Sequence, residues 1–255
     1  MGKIKLVFCG LWVLSGLVQL VAQQEYIREE PFLSVGSHIG VDFPAADLAD
    51  RYGWNMHAGL SLRLFSPKSK GFLAIEGSAQ YGDRVKEDVL EPLRLASGAI
   101  LGNQGQVGQI FLRRRGIYLG LYANRILVSS KNNPNAGLAF GLGVGLWQHH
   151  IRLLDEQSTV RQVAGDYAKG YDRSTRGPAL KQTISYEHIG INRSLNYSLG
   201  LTIMEGFTKS IRAVNFDTGT FADQSRRLDI TIGLEAIWYL PIREIDGKRN
   251  EEVFY

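Results

Sequence analysis

The strongest constraint on the fold is an alternation on two scales. Within eight segments, apolar and polar residues take turns, and the connectors between those segments run long, short, long, short, long, short, long. Period two sends successive side chains to opposite faces of a strand. Alternating connector length suits a barrel that crosses a bilayer, with short periplasmic turns and longer extracellular loops. The fold expected is all-β: an eight-stranded antiparallel up-and-down transmembrane β-barrel with both termini periplasmic.

The segments are read as 32–43, 54–65, 72–85, 116–128, 136–154, 178–191, 196–212 and 227–240, the last ended by Pro241. The connectors are 44–53, 66–71, 86–115, 129–135, 155–177, 192–195 and 213–226. The fifth segment has the cleanest pattern: Leu138, Phe140, Leu142, Val144 and Leu146 alternate with Ala139, Gly141, Gly143, Gly145 and Trp147. Small residues on one face let a narrow barrel close without clashes inside.

Three features favour lipid over a soluble core. The strands are longer than the five or six residues usual in soluble sheets and long enough to cross a membrane tilted. Aromatics gather at strand ends: Phe65, Phe72, Phe140, Tyr197 and Trp238 beside the short turns, Phe43, Trp54, Tyr81 and Phe207 beside the long loops. Rings settle at headgroup level, so two girdles are expected. The polar face carries mid-strand charge in Arg63, Glu76, Lys181, Glu187, Asp229 and Glu235, which a soluble core would not bury without reason. Glu205 and His150 interrupt the apolar face near the long-loop ends, where an outward polar group costs less.

The chain starts with an export-signal pattern. Lys3 and Lys5 precede an apolar run, 6–21, and Ala22 before Gln23 is the expected cleavage point. The run is short for a transmembrane anchor. The domain plan is residues 1–22 signal peptide, 23–31 periplasmic segment, 32–241 barrel and 242–255 periplasmic tail. Cleavage removes Cys9, the single cysteine, and with it any disulfide or Cys-ligated metal. It also removes two of the four net positive charges, so the basic balance argues little for nucleic acid, which is not expected as a partner.

The architecture resembles the eight-stranded barrels of the OmpA-like superfamily, and in style the PorT-like small barrels of the Bacteroidota. The residues that carry this are Ala22-Gln23-Gln24, the run Gly141-Leu142-Gly143-Val144-Gly145 and the ending Trp238-Tyr239-Leu240-Pro241. The resemblance covers residues 31–241 and implies an outer-membrane location and a part in secretion of other proteins. One departure is the hydrophilic tail beyond the last strand. If assembly machinery reads an internal signal, Trp238 and Tyr239 supply it.

An eight-stranded barrel is just wide enough to fill with side chains, so an open pore is not expected. Arg63, Glu76, Asp229 and Glu235 share the inward phase and form the expected lumen ion-pair network. His149 and His150, followed by Asp155 and Glu156, are the weak catalytic candidates for a lipid-modifying enzyme at the outer rim. No H-x-x-x-H spacing occurs, and neither metal nor cofactor is expected. The third long connector carries Asp166, Tyr167, Lys169, Tyr171, Asp172 and Arg173, a mixture suited to a protein or glycan partner. Arg113, Arg114 and Arg115 are expected to contact lipopolysaccharide phosphates. The main functional expectation is a structural or partner-binding outer-membrane barrel, a component of an envelope or protein-secretion assembly. A rim lipid-modifying enzyme and a soluble periplasmic ligand-binding barrel are the alternatives.

Overall fold

A computed structural model describes residues 31–157, 159–190 and 195–244. Eight strands form one closed ring: β1 Phe32–Ala46, β2 Asn55–Ser66, β3 Gly71–Gly82, β4 Ile110–Ser129, β5 Ala136–Asp155, β6 Thr175–Ile189, β7 Asn196–Ser210 and β8 Arg227–Glu244. Each strand pairs antiparallel with its chain neighbour, and β1 closes the ring on β8 from Phe32–Glu244 to Ala46–Asp229. Closure leaves no strand edge unpaired. The proposed signal, residues 1–22, the N-terminal segment before residue 31 and the tail beyond residue 244 lie outside the described residues, as does most of the turn at 192–195.

The alternation of each strand becomes an inside and an outside. On β3, Leu73, Ile75 and Tyr81 are exposed on the outer wall, while Glu76 and Gln80 are buried within. On β4, Ile117, Leu119 and Leu121 face out, and Tyr118 and Tyr122 face in. The outer wall is therefore apolar and the lumen polar, the reverse of a soluble barrel. The glycines of β5 make the space inside: a Cβ on Gly141 would stand 1.9 Å from the Tyr122 hydroxyl.

Three readings are corrected. Phe65 and Phe72 are buried rather than in a girdle. Residues 64 and 73 point outward, so their neighbours must point inward. The remaining ring positions do lie outside: Phe43, Trp54, Tyr81, Phe140, Phe207 and Trp238 are exposed and Tyr197 is half-buried. Strand β4 starts at Ile110, not near 116, and pairs with β5 out to Asp155. These two 20-residue strands outrun the other six, and toward the β4 start and β5 end the burial pattern loses its period of two. Strand β8 runs past Pro241 to Glu244. Pairing with β7 ends at Trp238, and the pairing with β1 shifts register beyond Pro241, so the missing N–H breaks no ladder on that side.

The long connectors build a crown over one end. Helix α1, Asp47–Arg51, leads into it, and Leu48, Tyr52, Val89, Leu90, Ile100, Val160, Val163 and Tyr171 pack with Trp147 and Ile151 from β5 into one apolar cluster. Arg173 ties three connectors together, with Nε 2.7 Å from Glu87 and the guanidinium bidentate on Asp217 at 2.9 and 2.5 Å. Burial opposes the Arg173 charge, but Glu87 and Asp217 outweigh it and raise its pKa. Arg212 holds Asp172 in the same forked way, which raises the Arg212 pKa. Charge-assisted bonds of this kind contribute about 1.5–3 kcal/mol each. Arg173→Ala is therefore expected to speed trypsin cleavage in the crown by about tenfold or more, while the barrel keeps its folded gel mobility. Unchanged cleavage would mean the clamp does not hold the crown.

Candidate functional site

The lumen is the chemically dense part of the molecule, and it is layered. At the short-turn end, Phe32, Phe65, Phe72, Tyr122, Ile189, Ile237 and Tyr239 form an apolar floor. Arg63 lies on that floor with its guanidinium carbon 4.4 Å from the Phe72 ring centre and 4.5 Å from that of Tyr239. Its Nη1 donates to the Tyr239 hydroxyl at 3.0 Å, and that hydroxyl donates to Glu187 at 2.8 Å. Asn124 and Ser185 also donate to Glu187.

The middle layer is ionic. Lys181 Nζ sits 3.0 Å from Glu76 Oε1 and 3.0 Å from Glu235 Oε2. His57 Nδ1 lies 2.9 Å from Asp42 Oδ2, and its Nε2 lies 3.4 Å from Glu235 Oε2. His38 is buried beside them, and neither of its ring nitrogens has a hydrogen-bond partner.

The upper layer joins the crown. Arg114 donates to Asn55 at 2.5 Å and to Gln80 at 3.3 Å, and Asn55 donates in turn to Asp42. Trp147 Nε1 donates to Gln80 at 2.9 Å. Asp229 is held from three sides, by Arg51 at 2.5 Å, His149 at 2.8 Å and Thr208 at 2.5 Å. The crown's apolar cluster closes the lumen above this layer.

The sequence candidates separate accordingly. Arg63, Glu76, Asp229 and Glu235 all point into the lumen, but in different layers: only Glu76 and Glu235 share a partner, Lys181. Adjacent strand positions send His149 and His150 to opposite walls. His149 is fully buried, its Nε2 shared between Asp229 and the Thr175 hydroxyl at 3.0 Å, which puts it out of reach of a substrate at the rim. His150 is half-buried on the outer wall. Asp155 serves its own loop, accepting from Val160 N at 2.8 Å.

In the third connector, Asp166, Tyr167 and Lys169 are exposed, whereas Tyr171 and Asp172 are buried and Arg173 is committed to its clamp. The three consecutive arginines also divide. Arg114 is fully buried in the lumen and cannot meet lipid, because residues on either side of it point outward. Arg113 and Arg115 pair across β4 and β5 with Arg152 and His150. On that outer wall a hollow of about 420 Å³ has Arg115, Arg176, Gln148 and His150 above Ile117, Leu119 and Leu146, with Tyr81 at its side. The hollow thus sets cationic and polar groups over an apolar slot.

His38, His57 and Asp42 were missed as a group. The usable signal was their phase: both histidines fall on the inward face of adjacent strands. No local spacing unites residues 38, 57 and 235.

No family model matches the chain, and no curated protein matches it. Among solved structures, Ail, the attachment invasion locus protein of Yersinia pestis, is similar in complex with the heparin analogue sucrose octasulfate: 8% identity over 82% of this chain and 98% of that one, with a TM-score of 0.45. A second structure of Ail from the same organism gives 9% identity, 83% and 99% coverage and a TM-score of 0.39.

Proposed function

We propose that the chain is an integral outer-membrane β-barrel with a closed lumen, whose work is done by its crown and outer rim as a structural or partner-binding component of the envelope. The observation that carries this is the inverted polarity of the ring. Leu60, Leu73, Ile75, Leu119, Leu121, Val144, Leu201 and Leu234 all lie exposed outside, while Arg63, Glu76, Lys181, Glu187, Asp229 and Glu235 lie buried within. Contiguous apolar surface of that extent marks an interface, and a belt around a closed barrel is the form lipid requires. Exposed Phe43, Trp54, Tyr81 and Phe207 at the crown end, with Phe140 and Trp238 at the other, suit headgroup level.

Apolar packing at both ends of the lumen argues for an anchor rather than a pore. The partner-facing groups are then Asp166, Tyr167 and Lys169 on the crown, and Arg113, Arg115, Arg152 and Arg176 toward lipopolysaccharide phosphates. A part in a protein-secretion or other envelope assembly is the role implied by the PorT-like resemblance.

Membranes separated by density and run on gels before and after boiling test the location. An outer-membrane band with heat-dependent mobility is expected, and a soluble periplasmic protein without a shift would overturn the reading. In planar bilayers no large steady conductance is expected. Arg115→Ala with Arg176→Ala should weaken lipopolysaccharide binding and make its loss with added salt shallower, since fewer ion pairs remain to be screened.

A further inference from the structure

The middle layer of the lumen has the donors, the charge and the space of a metal site. We propose that it binds one divalent transition-metal ion, zinc foremost, through His38, His57 and Glu235. One ligand atom from each lies within 4.8 Å of the other two. Two imidazoles with one carboxylate make a familiar three-ligand set for zinc, with a fourth position left for water.

Four observations converge on it. First, His57 is oriented as a ligand. Its Nδ1 is 2.9 Å from the Asp42 carboxylate, so a neutral ring that donates there presents the Nε2 lone pair to a metal. That Nε2 has no hydrogen-bond partner, although Glu235 Oε2 stands 3.4 Å away. A tetrahedral zinc site with ~2.1 Å bonds has edges of about 3.4 Å, so this pair is already at coordination spacing.

Second, His38 is 3% exposed with both ring nitrogens unpartnered. Burying two polar atoms without partners costs free energy, and a metal bond removes half of that cost. No hydrogen bond holds the ring, so it can rotate to close the remaining distance.

Third, the backbone makes room for both rings. His38 stands across the ladder from Gly59, and His57 across from Gly40, which is paired on its other side with Glu235. A Cβ at Gly59 would meet His38 Nε2 at 2.5 Å, and one at Gly40 would meet His57 Nε2 at 2.7 Å. A cavity of about 20 Å³ beside His57 and Glu235, also lined by Tyr118, leaves room for one ion or water. The Tyr118 hydroxyl is likewise unpartnered.

Fourth, the charge balance calls for a dication. Asp42, Glu76 and Glu235 bring three carboxylates to this level, where Lys181 faces Glu76 and Glu235 and the His57 ring faces Asp42 and Glu235, and Arg114 reaches it only through Asn55. With both imidazoles neutral, the form in which they ligate a metal, two negative charges stand uncompensated and a dication balances them. Glu235 Oε2, the oxygen nearest His57 Nε2, is also the one Lys181 holds at 3.0 Å, while Oε1 lies 3.4 Å from Lys181, so an ion here would share the carboxylate with the ammonium.

The test uses the full mature chain without a histidine tag, unfolded in urea with chelator and refolded in detergent with Co²⁺ as the probe. The expected result is one cobalt per folded barrel, with visible d–d absorption that zinc displaces. Asp42→Asn, a positioning change, should weaken binding about 10- to 100-fold. His57→Gln and His38→Gln, which keep volume and polarity, should abolish the absorption while the heat-dependent gel shift persists. A folded barrel that takes up no cobalt would overturn the proposal, and so would equal cobalt binding by the double glutamine variant.

Discussion

Lys181→Met is expected to destabilise the barrel by about 3–5 kcal/mol, the cost typical of removing one partner from a buried ion pair. Lys181 is the cation shared by Glu76 and Glu235, at 3.0 Å from each, and all three side chains are at most 6% exposed. Methionine matches the stem of lysine in length, so packing changes little. What remains is two carboxylates facing each other in a closed lumen. Urea titration of refolded protein in lipid vesicles, followed by tryptophan fluorescence, measures the loss. Adding Glu76→Gln and Glu235→Gln to Lys181→Met should recover most of it, because the unpaired charges go with the cation. The exposed Lys169→Met supplies the contrast and should leave stability unchanged. Equal stability of Lys181→Met and the original chain would mean that water reaches this layer freely.

The second large effect is on the opposite wall. Leu121→Arg is expected to cost about 2–4 kcal/mol in lipid, the range for arginine at the midplane of a transmembrane barrel. Leu121 is 60% exposed, and its ladder neighbours are Ile75 and Val144, also exposed. If water covered this wall, arginine there would change almost nothing. Phe43→Arg, at the crown end of β1, should cost only about 0–1 kcal/mol, because depth sets the penalty near an interface. The ordering of these two variants in vesicles therefore tests the membrane reading independently of fractionation. Two small and equal penalties would favour a soluble barrel.

The two variants separate what kinds of information the chain carries. The alternation along each strand is local, so the wall to which Lys181 or Leu121 belongs could be read directly. The same rule misassigned residues only where it was set aside for composition. Phe65 and Phe72 were placed by their aromatic character at strand ends, yet their phase sends them into the floor beneath Arg63. Arg114 was grouped with its neighbours as a cationic run, yet a strand must turn it the other way. The start of β4 was hidden for a different reason. Above the apolar belt both faces of a strand meet polar surroundings, and the period-two contrast disappears.

The candidate sites were legible as memberships, not as contacts. Asp166, Tyr167 and Lys169 remain exposed on the crown, with Asp166 and Lys169 paired to each other, whereas Asp172 and Arg173 are consumed by Glu87 from the second long connector and by Arg212 and Asp217 from the last. Nothing along the chain announces such clamps. Likewise the sequence alone determined the strand count, the order of long and short connectors, and which residues face inward, because each of these depends on neighbours within a few positions. Which inward residues meet was decided only by closing the ring. That step sets strand stagger, brings residue 38 against 57 and 235, splits Arg63 from Glu76, and turns three polar loops into an apolar seal. Stagger and closure are global quantities: they follow from the packing of all eight strands at once, and no single stretch of the chain encodes them.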